Sequence, residues 1–236
     1  MKKYSLLITL IVLSCNKPKE VPKVTYDATK NQAKQTVQPS TTEIEIADLP
    51  VQMEGNRYLL HPIGAVRIGN EKRNVENSFV LSNYNRLELT GNFSNLKFQH
   101  QDSTSLRLLT DKKVKIQNVT LISAANTNKK SFLVYLLEDM DSNQDGVLDD
   151  NDIKDLYISS ADGTNFKKLS ADYQEIVDWK VIESKNQLYF RTLEDINKNG
   201  AFDKTDKVHY YCVDLNSKML DVTEYNPIEI TKNSVK

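Results

Sequence analysis

One twelve-residue acidic design occurs twice in this chain, 54 positions apart. The first copy, residues 141–152, reads Asp-Ser-Asn-Gln-Asp-Gly-Val-Leu-Asp-Asp-Asn-Asp. The second, residues 195–206, reads Asp-Ile-Asn-Lys-Asn-Gly-Ala-Phe-Asp-Lys-Thr-Asp. Both place an oxygen-bearing side chain at positions 1, 3, 5, 9 and 12, Gly at 6 and an apolar residue at 8. Alternate residues of a tight loop can point their oxygens at one centre, and a hard cation takes about six to eight oxygen ligands. Gly146 and Gly200 stand where such a loop turns sharply, often through positive φ, which costs glycine little. The peptide carbonyls of Val147 and Ala201 would supply position 7. A pair of solvated acidic turns is the competing reading, because Asp, Asn and Gly are also ordinary turn residues. Two copies in one frame weigh against it.

The spacing resembles the calcium loop of the EF-hand family, and the resemblance covers these two loops alone. It implies two calcium ions, held by Asp141, Asn143, Asp145, Val147, Asp149 and Asp152, and by Asp195, Asn197, Asn199, Ala201, Asp203 and Asp206. The family pattern ends in Glu, whereas Asp152 and Asp206 are one methylene shorter. A tighter loop closes that gap, as in dockerin-like calcium loops. The first loop carries Asp at 1, 5, 9 and 12 and no lysine, whereas the second has Asn199 at 5 and includes Lys198 and Lys204. More ligand charge and fewer nearby ammonium groups predict tighter binding in the first.

The flanks of both loops alternate with period two and contain Tyr, Val, Ile and Phe, so the unit is a hairpin with a long connection, not a helix–loop–helix. The offset of 54 aligns Tyr135 with Tyr189 and Tyr157 with Tyr211 as well as the loops. A second repeat, at offset 60, aligns Leu96–Thr110 with Leu156–Ser170, each a strand, a turn and a strand, and 210–223 is a looser third copy. Leu96, Phe98 and His100 share one strand face; so do Phe132, Val134 and Leu136, then Leu188 and Phe190, then Tyr210 and Cys212. Long amphipathic helical windows are missing. The fold class is all-β, built of antiparallel sheets. Strand–turn–strand units at this spacing resemble blades of TolB-like six-bladed β-propellers over residues 93–225. Two or three blades do not close a ring, which needs at least about four. Either residues 43–92 supply degenerate blades of a partial propeller, or the chain is an open blade stack or sandwich, with closure by oligomerising as a further alternative.

The amino terminus reads as targeting sequence. Lys2 and Lys3 precede an apolar stretch, Leu6 to Leu13, too short to span a bilayer. Ile-Val-Leu-Ser-Cys at 11–15 resembles the bacterial lipobox, with Val12 in place of the commoner Leu. It implies that residues 1–15 are a lipoprotein signal ending in a lipidated Cys15, with an ordinary secretory signal or an uncleaved anchor as alternatives. Residues 16–42 are rich in Lys, Pro, Gln, Thr and Asn and poor in large apolar side chains. They read as a disordered tether with a mean reach of about 30 Å. Tyr26 is its only aromatic, which argues against a binding motif there. Residues 43–92 then form an N-terminal β region, with strands expected at 57–60, 78–81 and 86–89 and turns at Gly69-Asn70 and Gly91-Asn92. Residues 93–236 form the repeated region.

A net charge of −1 with dispersed Lys and Arg leaves no electrostatic case for nucleic acid. With Cys15 lipidated, Cys212 is a lone thiol in an apolar run, a small hydrophobe rather than a nucleophile. His61, His100 and His209 have no metal-ligand spacing and no neighbouring nucleophile motif. Glu138, Asp139 and Glu194 stand beside the loops, adding negative potential or solvating strand ends. Trp179 alternates with Val177 and Val181 and reads as core before sugar platform. The sequence therefore describes a lipid-anchored protein of the bacterial envelope, on its periplasmic or surface face. It binds structural calcium and serves as an interaction or accessory module toward an envelope protein or glycan, without a catalytic residue. The alternative is an envelope hydrolase acting on glycans, its fold supported by calcium; abundant carboxylates keep that open. Dockerin-like partner recognition is disfavoured, because that module uses helices and a much shorter repeat.

Overall fold

The middle of the chain is continuously apolar, Phe132-Leu133-Val134-Tyr135-Leu136-Leu137, because its sheet is covered on both faces. The structure, a computed structural model, describes residues 22–26, 42–68, 75–77, 87–123 and 130–228. Cys15 with its leader, most of the proposed tether, the strand expected at 78–81 and the turn at Gly69-Asn70 lie outside the described residues.

Among the described residues the strands form three antiparallel sheets, the third of them a simple meander. The first sheet orders β1 (Thr42–Ala47), β3 (Tyr58–Ile68), β6 (Asn95–His100) and β7 (Leu106–Leu108), with β2 (Val51–Gln52) and β4 (Val75–Asn77) also pairing with β3. The second orders β8 (Lys115–Ser123), β9 (Ser131–Glu138), β10 (Asp155–Ser160) and β11 (Lys167–Lys168), and β5 (Glu88–Phe93) extends it beyond β8. The third is β12 (Gln174–Ile182), β13 (Gln187–Glu194), β14 (Lys207–Asp214) and β15 (Val222–Glu224). The fold is all-β, as the period-two patterning requires. Residues on both sides of position 92 share the first sheet, because β3 pairs with β6 from Tyr58↔His100 to Ile63↔Asn95. Gly91-Asn92 is a bulge inside β5, not a turn: the pairing with β8 shifts between Thr90 and Phe93.

Two cores alternate with the three sheets. Leu60, Leu96, Phe98, Leu133, Tyr135, Leu137 and Tyr157 form one cluster, and Phe132, Val134, Leu156, Ile158, Leu188, Phe190 and Val213 the other. Odd residues of β9 thus enter the first core and even residues the second. The repeat at offset 60 is geometric: Leu109 N–H donates to Leu96 O at 2.9 Å and Leu169 N–H to Leu156 O at 2.8 Å. Tyr225 N–H to Tyr210 O, at 2.9 Å, closes the looser third copy. The offset of 54 holds through the loops and the strand after them but slips by one residue in the strand before. Tyr135 pairs with Tyr157, whereas Phe190, not Tyr189, pairs with Tyr211. Tyr189 is consequently turned away from the core that Phe190 enters. A bulge between Ile176 and Asp178 also breaks the alternation around Trp179. Val177 is left 51% exposed, while Trp179 packs half-buried on the second core.

The Asp162-Gly163 turn, expected from sequence, joins β10 to β11 and rests on the first sheet. Gly163 has φ +75°, and a Cβ there would lie 2.4 Å from the buried Phe98 ring. Left-handed strain and overpacking then add. Gly163→Ala is expected to destabilise the protein by about 2–4 kcal/mol, read as a lowered midpoint in urea unfolding with unchanged slope.

Candidate functional site

Both acidic loops are hairpin connections, the first between β9 and β10 and the second between β13 and β14. A connection this long carries backbone N–H groups that no strand partner satisfies, and the loop's own side chains take them. In the first loop Asp145 N–H faces Asp141 Oδ1 at 3.1 Å and Asn143 Oδ1 at 2.9 Å, and Gly146 N–H donates to Asp141 Oδ2 at 2.8 Å. Val147 N–H donates to Asp145, Asn151 N–H to Asp149, and Asp149 N–H to Asp152. The second loop repeats this bond for bond. Asn199 N–H faces Asp195 and Asn197, Gly200 N–H donates to Asp195, Ala201 N–H to Asn199, Thr205 N–H to Asp203, and Asp203 N–H to Asp206. Positions 4 and 6 are left-handed in both: Gln144 at φ 59° and Gly146 at 88°, Lys198 at 56° and Gly200 at 81°. Two different sequences have adopted one loop conformation.

In each loop the side chains at positions 1 and 3 converge on the N–H of position 5, whose own side chain takes the N–H of position 7. Position 12 differs between the copies. Asp152 is fully buried, and its Oδ1 takes the N–H groups of Ser142 at 2.8 Å and Asn143 at 3.2 Å. The shorter Asp arm does reach across the loop. Asp206 is less buried, and its Oδ1 lies 3.3 Å from Asn197 Nδ2. Among the described residues no three His, Cys, Asp or Glu side chains form a ready-made metal cage. The loop carboxylates are turned to backbone N–H groups, and Asn and peptide carbonyls complete the oxygen set. All six donor positions of each loop offer hard oxygen and none offers sulfur or imidazole, a set that suits calcium and not a softer metal.

A second cluster lies beside the first loop, in an open cleft of about 1090 Å³ lined by Asp139, Tyr157, Phe166, Lys168 and Asp172. Lys168 Nζ touches Asp139 at 3.3 Å, Asp155 at 2.9 Å and Asp172 at 2.8 Å, and Tyr157 donates to Asp139 at 2.5 Å. Burial and the hydrogen-bonded Asp139 carboxyl push Asp155 up to about 8. Burial acts the same way on Asp139, but hydrogen bonds from Asp155 and Tyr157 and the Lys168 charge outweigh it and hold its carboxyl below the usual range. Two carboxyls in hydrogen-bond contact are closer than the roughly 5–9.5 Å that glycoside hydrolysis uses. Asp155 is also 1% exposed, out of a substrate's reach.

The histidines are structural. His61 pairs with Gln99, His100 sits edge-on to Tyr58 beside Asp102, and buried His209 has one ring nitrogen 2.7 Å from Glu194 and the other 2.7 Å from Glu224. Cys212 is a free, half-buried thiol. Sequence reasoning missed residues 22–26. They belong to the stretch read as a tether, yet Val24 is 2% exposed and its neighbours bond to both loops. The signal available was slight: Val24 and Tyr26 alternate within a polar run.

Glu138, expected to solvate a strand end, is instead fully buried. Its Oε1 accepts from Gln117 at 2.6 Å and its Oε2 has no partner. Burial pushes its carboxyl up to about 8, against the pull of Lys154 and Lys115. The unfolded chain releases this proton near the ordinary glutamate value and the folded chain only near 8. The Glu138 contribution to stability is therefore largest below about pH 4.5, falls as pH rises toward 8, and is flat beyond. Glu138→Gln keeps the bond to Gln117 and removes the charge. Its melting temperature is expected to match the parent at pH 4 and exceed it by about 5 °C or more at pH 8.5, measured by calorimetry across that range.

No family model and no curated protein matches this chain. Among solved structures, one described as TolB from Agrobacterium tumefaciens aligns over 76% of this chain and 80% of that chain, at 11% identity and a TM-score of 0.23. A superposition this loose carries no argument about function. Among the described residues no helix is long and apolar enough to cross a membrane.

Proposed function

We propose that this chain is a lipid-anchored protein of the bacterial envelope whose sheet stack carries two structural calcium ions and serves as an interaction or accessory module. One observation carries the calcium reading. Two loops of different sequence share a single pattern of side-chain-to-backbone hydrogen bonds, in which positions 1 and 3 accept from the N–H of position 5 and position 12 accepts from the N–H of position 9. Solvated acidic turns have no need of such agreement. Asp141, Asn143, Asp145, Asp149 and Asp152 with the Val147 carbonyl would hold one ion. Asp195, Asn197, Asn199, Asp203 and Asp206 with the Ala201 carbonyl would hold the other. Bound calcium would offset the repulsion among the gathered carboxylates and tie each connection to its own hairpin.

Affinities of extracellular modules are roughly 10⁻⁴ to 10⁻³ M, so the ions would be constitutive where calcium is millimolar. Cys15, with the apolar run before it, supports membrane attachment through lipid. A hydrolase is not favoured: the carboxylates nearest the open cleft are tied to Lys168, and one of them is buried.

Chelation tests the reading. Each site is worth about 2.7 kcal/mol at a hundredfold excess of ion over Kd, so calcium is expected to raise the melting temperature by several degrees without a large spectroscopic change. An unchanged melting temperature between chelator and 10 mM calcium contradicts it, the concentration being about ten to a hundred times such a Kd. Titration calorimetry ranks the loops. Asp195→Ala is expected to leave the tighter site and Asp141→Ala the weaker one, and equal residual affinities refute that order.

A further inference from the structure

Residues 22–26 run across both acidic loops and bond to each with their backbone. Lys23 and Val24 N–H donate to Gly200 O at 2.7 and 3.3 Å, and Thr25 N–H donates to Ser142 O at 2.9 Å. In return Ser142 Oγ donates to Lys23 O at 2.7 Å, and Gln144 Nε2 donates to Thr25 O at 2.9 Å. Thr25 Oγ1 adds a bond to Asn143 O at 2.8 Å, and Lys23 Nζ reaches Glu175 at 2.6 Å on β12. Val24 is 2% exposed, and a Cβ on Gly200 would lie 2.5 Å from its carbonyl. Tyr26 packs against Tyr173 and has Lys198 over its ring. An extended segment is thus read by main-chain bonds with one apolar side chain in a pocket, the usual economy of peptide recognition.

We propose that the saddle between the two loops is a peptide-binding surface whose occupant is the chain's own residues 22–26, and that seating of this strap is coupled to cation loading of the loops. The coupling half rests on the calcium reading. Its route is short, because the two loop residues whose carbonyls take the strap's N–H groups each also hold a proposed ligand. Gly200 O takes the strap while Gly200 N–H donates to Asp195, and Ser142 O takes the strap while Ser142 N–H donates to Asp152. Fixing those carboxylates on an ion fixes the acceptors that the strap needs. By linkage, whatever factor calcium gains from the strap, the strap gains from calcium. If Cys15 is the anchor, a seated strap leaves only residues 16–21 between anchor and body, about 25 Å at full extension. Calcium would then set how closely the sheets ride on the membrane.

The full chain is the material for the test, unaltered and as Val24→Asp, which places a charge in the strap's apolar pocket and leaves the loops intact. Mass spectrometry follows tryptic cleavage after Lys23 in chelator and in 10 mM calcium, and calorimetry measures calcium affinity. The expected result is that calcium slows cleavage after Lys23 at least fivefold, and that Val24→Asp binds two ions with affinity reduced fivefold or more, the lower range of typical couplings. Two ions bound equally well by both chains, with cleavage indifferent to calcium, overturns the latch and leaves the calcium reading standing. No calcium bound by the unaltered chain overturns both.

Discussion

Everything at the loop end of this molecule depends on how two long connections satisfy their own backbone. A turn of two to five residues would leave few N–H groups exposed to chance, but the twelve-residue loops must find acceptors for many. They find them in Asp and Asn side chains placed two to five residues away. The cost is electrostatic: several carboxylates are drawn to one side of a hairpin, and in the first loop one of them, Asp152, is fully buried. Backbone N–H dipoles compensate part of that charge, and a divalent ion, as proposed, would compensate the rest.

The sheets supply rigidity behind the loops. Because the middle sheet is covered on both faces, β9 and β10 form a slab that fixes the ends of the first loop, and β13 and β14 do the same for the second one sheet later. The strap at 22–26 then joins the two loop ends to each other from outside the stack. Two repeats that packing already relates are thereby linked a second time, through residues whose N–H groups hold the loop carboxylates.

Much of this was legible in the sequence, and the failures have identifiable causes. The all-β class followed from alternation, and the Leu96–Leu109 and Leu156–Leu169 units were visible because closing a hairpin imposes the same residue types twice. Loop boundaries were readable because Gly, Asp and Asn at fixed intervals serve a backbone requirement. Leu188 and Phe190 do share a buried face, but the alignment of Tyr189 with Tyr135 slipped because the register there differs by one residue, and nothing local marks it. The environment of Trp179 was blurred by the bulge at Ile176/Asp178 for the same reason. Glu138 looked like a solvated strand end, yet the neighbouring β8 covers it with Gln117 and Lys115, which are distant in sequence. The strap was hidden because its affinity for the loops is carried by main-chain groups, which every residue has.

The central claim is that each loop's oxygens enclose a calcium ion, and locating the ion tests it most directly. Crystals of the full chain grown with millimolar calcium would be measured for anomalous scattering. The account predicts one peak ringed by Asp141, Asn143, Asp145, Asp149, Asp152 and the Val147 carbonyl, and another ringed by Asp195, Asn197, Asn199, Asp203, Asp206 and the Ala201 carbonyl. Diffraction showing both loops with their carboxylates still on backbone N–H groups, and no peak between them, would contradict it.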